Sequence, residues 1–284
     1  MCGCEIRWLH LKDENGFSLE SAREELYAML CDDSGDASKI DSVPTLSSKR
    51  ENVWEKILIL GNPNNPTGRA ISATELERLA EVCRETHTWL MLDECFQWFL
   101  DTRRECSFVG NLLNGVGDHV ILLNALTKIC SMAGLRLGYG IIPNAGLRER
   151  LEKFRQPWSV SAPAQAGGVA AFAVLADHSE GNLLEWTVKS LQAERPRLAE
   201  KLEELGFIVY PSQTNYLLFR SPDEDSRDYK QGCLEHGILI RACENFEGLN
   251  RHYYRVAVRN RGENERLINI LKEVQSEEKH DVNL

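Results

Sequence analysis

Short apolar runs and amphipathic stretches take turns along the first half of the chain. WEKILILG (54–61) reads as a buried strand followed by a turn, and WLMLDEC (89–95), HVILLNAL (119–126) and LGYGIIP (137–143) read as further strands. Between the first two, SATELERLAEVCRE (72–85) has apolar residues at helical spacing, with Ser72 and Glu75 placed as a capping box. AGLRERLEKF (145–154) is helical as well. Strands alternating with helices predict an α/β fold with a mainly parallel sheet covered on both faces. The polar, turn-rich stretch 32–52 predicts a loop or a poorly ordered insertion.

The pattern changes after Pro157. Residues 181–206 predict a long helical stretch interrupted at Pro196. Strands FIVYP, NYLLFR and ILIRA follow, with a helix around 226–236, the strand YYRVAV and a last amphipathic helix ENERLINILKEVQ. These predict a smaller α+β domain. The boundary is expected within RQPWSVSAP (155–163), giving a large domain over 1–156 and a small one over 157–284.

Composition narrows the classes. A chain of 284 residues with 43% hydrophobic and 27% charged residues has ample material for a globular core. Its net charge of −10 argues against a general nucleic-acid partner, which would need a basic face. No apolar run reaches membrane-span length, and the N-terminus lacks the basic-then-apolar layout of a signal peptide. The nine cysteines are scattered, without C-x-x-C spacing or a histidine cluster. They read as reduced thiols of a cytoplasmic protein, and no metal site is expected.

In an open α/β sheet, ligands bind outside the carboxyl ends of the strands. Three polar features are expected there. GNPNNPTG (61–68) directly follows a strand, and its Asn-Pro dipeptides demand a rigid turn or an ordinary loop. Asp93 ends an apolar run, as a buried carboxylate in need of a partner or a structural cap. Lys128 and Arg136 stand eight residues apart in the otherwise uncharged LNALTKICSMAGLRLGYG (123–140). A lone lysine there would be a snorkelling surface residue. Together the features suit one chemistry. A desolvated lysine forms a Schiff base, a carboxylate keeps a pyridine nitrogen protonated, and an arginine grips a phosphate.

N-P-x-N-P-T-G, a strand ending D-E, and T-K followed eight residues later by the arginine of GLRLGY resemble the fold-type I pyridoxal-phosphate enzymes of the aspartate-aminotransferase superfamily. The resemblance implies pyridoxal 5'-phosphate as cofactor. It makes Lys128 the lysine that links to it, Asp93 the partner of its ring nitrogen, and Asn65 the donor to its 3-oxygen. Arg136 then holds its phosphate, with Thr127 contributing. Within this superfamily, RQPWSVSAPAQAG, TNYLLFR and GILIRACENFEGLNRHYYRVAVRNRGENERL are similar to the threonine-phosphate decarboxylases related to histidinol-phosphate aminotransferases, from about Gly3 to about Val274. That likeness assigns Arg241 to a substrate phosphate and Arg255 to a substrate carboxylate, while Tyr253, Tyr254 and Trp158 read as packing residues. It implies decarboxylation of L-threonine O-3-phosphate in cobalamin biosynthesis by a homodimer. Transamination of the histidinol-phosphate type is the alternative.

Two site positions depart from the pattern. Ala125 stands where many relatives carry Ser or Thr three residues before the lysine, and Phe96 where many aminotransferases carry Tyr. Family members also begin well before the segment matching CGCEIRWLHL. The missing portion would hold a backbone cradle for the cofactor phosphate and an aromatic that stacks on the ring. The chain is therefore expected to lack roughly the first quarter of its relatives, which leaves an inactive truncated fragment as a third reading.

Overall fold

The computed structural model describes residues 4–31, 56–177, 179–222 and 224–276. The polar stretch 32–52 lies outside them. Packing divides the chain into two units. One ends at Asn65 and resumes over Arg69–Glu185; the other takes Pro66–Gly68 and resumes at Trp186.

In the first unit, helix α1 (Arg23–Cys31) precedes strand β1 (Lys56–Gly61), helix α2 (Ala73–Glu85) and strand β2 (Thr88–Asp93). Two short helices follow, α3 (Arg103–Cys106) and α4 (Val109–Leu113), then strands β3 (Val120–Ala125) and β4 (Gly138–Ile141). The sheet order is β1-β2-β3-β4. The first three strands are parallel and β4 runs antiparallel to β3. Period-two alternation sends Leu90, Leu92, Val120 and Leu122 to one face, where they meet Leu76, Leu79 and Cys83, spaced along one side of α2. Coverage on both faces is not observed at β1. There Ile57 and Ile59 are 49% and 63% exposed, because no described helix lies over them.

The start of α2 differs from a reciprocal capping box. The Ser72 hydroxyl accepts the Glu75 N–H at 3.3 Å. The Glu75 carboxylate turns instead to Arg23 of α1, taking two hydrogen bonds of 2.8 and 2.7 Å. A buried acid gains more from a bidentate guanidinium than from one backbone N–H.

Helices α5 (Ala145–Phe154) and α6 (Ala162–Leu175) complete this unit, and α7 (Leu183–Glu204) begins at its end. The expected boundary at 156/157 thus falls some way before the observed division. The reason is the seating of α6. A Cβ added at Gly168 would lie 2.5 Å from Leu137, and Phe172 packs its ring 5.5 Å from that of Tyr139. Helix α7 runs through Pro196 without interruption. Trp158 is 96% exposed and is not a packing residue.

The second unit has a four-stranded antiparallel sheet, ordered β5-β6-β8-β7. Its elements are β5 (Ile208–Val209), β6 (Tyr216–Arg220), α8 (Tyr229–Glu235), β7 (Arg241–Ala242), β8 (Tyr253–Ala257) and α9 (Arg261–Ser276). Phe207, Phe219, Tyr229 and Tyr254 form a chain of ring contacts 4.9–5.8 Å between centroids. Helices α8 and α9 meet at Gly232, where a Cβ would stand 2.7 Å from Val274.

Candidate active site

Strand register brings the first unit's candidate residues to one edge. Gly61 pairs with Asp93, and Asp93 with Leu123, so β1 and β2 end level and β3 runs two residues further, to Ala125. Asn65 lies four residues past the first end, and Thr127 and Lys128 lie just past the third. These are the loops where an open α/β sheet binds ligands. The segment after β1 folds back on itself. It has a cis Asn62–Pro63 bond, and the Asn64 N–H reaches the Arg69 carbonyl at 2.8 Å.

Asp93 ends β2 with its side chain exposed. Its Oδ1 accepts the Cys95 N–H at 2.9 Å, and its carbonyl accepts the Asn62 N–H at 2.8 Å. The Lys128 ammonium stands 5.7 Å above the Phe96 ring. Cys95 links the two charges. Burial, a hydrogen bond to Asp93 and the Asp93 charge push its thiol up to about 12, while Lys128 opposes the rise. Phe96, the position that lacks a tyrosine hydroxyl, therefore serves as an apolar floor for the lysine. Lys128 itself is exposed rather than desolvated, because no described residue closes over it.

Arg136 precedes β4 in a left-handed conformation, φ 54°, and bonds back to the Ala133 carbonyl at 3.1 Å. Its guanidinium is exposed. Asn124 supports the lysine loop from below. Its Oδ1 accepts the Trp98 indole N–H at 3.0 Å and the Ala125 N–H at 2.7 Å. A Cβ at Gly138 would lie 3.0 Å from the Asn124 carbonyl, so only glycine lets β4 approach there.

Sequence reasoning missed the polar frame behind Asp93. Glu94 is 1% exposed and accepts the Ser107 hydroxyl at 2.7 Å and the Phe108 N–H at 2.8 Å. Burial pushes its carboxyl up to about 7, against these two hydrogen bonds. Asn62 is fully buried, donates to the Cys106 carbonyl at 2.7 Å and accepts the Ile71 N–H at 2.8 Å. The available signal was phase: residue 94 continues the buried set 90, 92, so an acid there had to face the core.

The second unit holds the two candidate substrate arginines. Arg241 of β7 pairs directly with Arg255 of β8, which places both on one face of the sheet. Arg241 donates to Asn245 Oδ1 at 2.8 Å and lies 5.9 Å over Phe246. Arg255 lies 5.0 Å over the Tyr216 ring. Tyr253 and Tyr254 are buried packing residues, 6% and 3% exposed.

A mainly parallel sheet with a carboxylate at the carboxyl end of one strand and a lysine just past the end of the next is the fold-type I architecture of pyridoxal-phosphate enzymes. The chain belongs to the aminotransferase class I and II family, which it matches over residues 3–271. It is 33% identical over 273 residues to threonine-phosphate decarboxylase of Salmonella typhimurium, covering 96% of this chain and 65% of that protein. A solved histidinol-phosphate aminotransferase from Clostridium acetobutylicum is 30% identical with a TM-score of 0.69, over 78% of this chain and 64% of that one. A histidinol-phosphate aminotransferase from Sinorhizobium meliloti, solved with pyridoxal-5'-phosphate, has a TM-score of 0.61 at 24% identity, over 77% of this chain and 56% of that one. The chain thus spans 56–65% of the length of these relatives.

Proposed function

We propose that this chain belongs to a pyridoxal-phosphate lyase that decarboxylates L-threonine O-3-phosphate to (R)-1-aminopropan-2-yl phosphate. The observation that carries the reading is the direct pairing of Arg241 with Arg255. Two guanidiniums on one sheet face suit a substrate with a phosphate at one end and a carboxylate at the other. Likeness to a threonine-phosphate decarboxylase over 96% of the chain supports it.

The donor set fits the cofactor. Lys128 offers an amine for its aldehyde carbon, Asp93 a carboxylate for its ring nitrogen and Asn65 an amide for its 3-oxygen. Thr127 and Arg136 offer a hydroxyl and a guanidinium for its phosphate. When bound, the cofactor supplies the electron sink for the pair left as the Cα–carboxylate bond breaks. Asp93, pinned through Oδ1 by the Cys95 N–H, holds a proton at the ring nitrogen and so maintains that sink. Arg241 and Arg255 would hold the substrate's phosphate and carboxylate as paired guanidiniums on one sheet face. The Lys128 amine would be the group that links to the cofactor and carries a proton for Cα. The working form is a cytoplasmic homodimer acting in cobalamin biosynthesis.

A second reading is a histidinol-phosphate-type aminotransferase, favoured by the 30% identity to a solved one. It would use the same residues and break the Cα–H bond. Incubation with carboxyl-labelled threonine phosphate separates the two. We expect labelled carbon dioxide without added 2-oxoglutarate, and none from Lys128→Ala. Turnover that requires 2-oxoglutarate and retains the label would refute the decarboxylase reading. Borohydride fixation with peptide mapping checks the lysine: label on Lys153 or Lys189 would refute Lys128.

A further inference from the structure

Asp93 and Glu94 are consecutive carboxylates on opposite faces of the β2 terminus. The first is exposed and has a role above; the second is buried and has none. We propose that Glu94 is a positioning residue for Asp93, tying the strand end to the Cys106–Phe108 segment so that the Asp93 carboxylate is presented in one direction. The proposal rests on the reading of Asp93 as the partner of the cofactor's ring nitrogen.

Three anchors reach that segment. Glu94 takes the Ser107 hydroxyl on one carboxylate oxygen and the Phe108 N–H on the other. Asn62, whose own N–H holds the Asp93 carbonyl, donates its side-chain amide to the Cys106 carbonyl. The Glu94 backbone is fixed as well: its N–H reaches Leu123 of β3 at 2.8 Å, and its carbonyl accepts Gln97 at 3.0 Å. The turn Asp93–Gln97 therefore hangs between β1, β3 and residues 106–108. Among the described residues no lysine or arginine forms an ion pair with Glu94, so its two acceptor arms are what the fold uses. Both donors need an acceptor oxygen. A carboxylate provides two, whereas the amide of glutamine provides one, so Ser107, whose oxygen already accepts the Val109 N–H at 3.2 Å, must reverse its hydroxyl and give up its bond as donor to residue 94. An unpaired donor at a buried site is costly, which explains an acid where an apolar residue would continue the strand pattern.

The test is Glu94→Gln in the full chain, with two measurements. The first needs no cofactor: amide hydrogen exchange read by mass spectrometry. We expect exchange to rise about tenfold at Asp93–Gln97 as well as at Ser107–Phe108. A rise confined to Ser107–Phe108 would overturn the proposal, since Glu94 would then support only its own partners. The second is protonation of the ring nitrogen in bound, nitrogen-15-labelled pyridoxal phosphate. We expect the protonated fraction to fall in Glu94→Gln while label at Lys128 persists. An unchanged fraction would overturn the proposal too. If the parent chain takes no label at Lys128, the cofactor reading fails, and the exchange pattern alone decides whether Glu94 positions Asp93. Should Glu94→Gln not fold, Ser107→Ala, which removes one donor and leaves the acid, carries the same comparison.

Discussion

Arg241 and Arg255 occupy adjacent strands yet sit in different company, and this separates their expected roles. Arg241 is exposed, steadied by Asn245 and Phe246. Arg255 lies against the Tyr216 ring. Loss of a charge-assisted bidentate contact costs about 2–4 kcal/mol of transition-state binding. Arg241→Ala should exact that loss for phosphorylated substrates and spare unphosphorylated ones, as a ratio of kcat/KM values. Equal damage to both would remove its role as phosphate reader. Glu94 makes a different prediction. Its carboxyl titrates near 7 in the folded chain, above its ordinary value of 4.5, so the unfolded state releases the proton first. The contribution to stability is complete below about pH 4.5 and is lost as pH rises through about 7. The raised value corresponds to about 3 kcal/mol at most. Urea denaturation of the parent and of Glu94→Gln should therefore give a stability difference that changes between pH 4.5 and 7. A difference flat across that window would show that Glu94 titrates at its ordinary value. The candidate residues Asp93 and Lys128 were legible in the sequence because both follow apolar runs. For Glu94 phase marked only the burial, because its partners Ser107 and Phe108 are remote in sequence and are joined to it only by the fold.

Elements show the same division. The first three strands, α2 and α5 followed from period and capping, and the antiparallel turn of β4 did not, since apolar alternation carries no direction. The seating of α6 was hidden for another reason. Its sequence APAQAGGVAAFAVL is small and apolar all round, so no face marks the surface it packs on. The α1–α2 contact depends on a pair no local pattern relates. Arg23 reaches 52 residues along the chain to a Glu75 carboxylate that is 5% exposed, while its own side chain is 36% exposed. Arg23→Ala would leave that acid buried without its two donors. We expect a loss of about 1–3 kcal/mol in chemical denaturation, against about 1 kcal/mol for removing the Ser72 cap. If Ser72→Ala cost more than Arg23→Ala, the guanidinium would not be what holds α1 to α2. The Gly232 contact between α8 and α9 is equally nonlocal. A methyl there would enter the space of Val274 and force the helices apart.

At the scale of the whole chain, length and surface bear on the same question. The chain spans 65% of a decarboxylase to which it is 33% identical. Among the described residues the first sheet has strands on one side only of β1 and of β4. Ile57 and Ile59 stand on the same face of β1, and 59 pairs with Met91 of β2. An unpaired edge carrying two exposed β-branched residues is a template for pairing with another chain. A net charge of −10 opposes association at long range, but salt screens it within about 10 Å at 0.1 M. We therefore expect self-association of this chain to increase with salt, and Ile59→Lys to reduce it severalfold in light scattering by placing a charge on the edge. Asp93 is the last residue of β2 and Lys128 lies past the end of β3, so Ile59→Lys should leave cofactor attachment at Lys128 unchanged. A variant that scattered as strongly as the parent would show that β1 is not the contact. A variant that lost both scattering and cofactor would show instead that association through this edge completes the site.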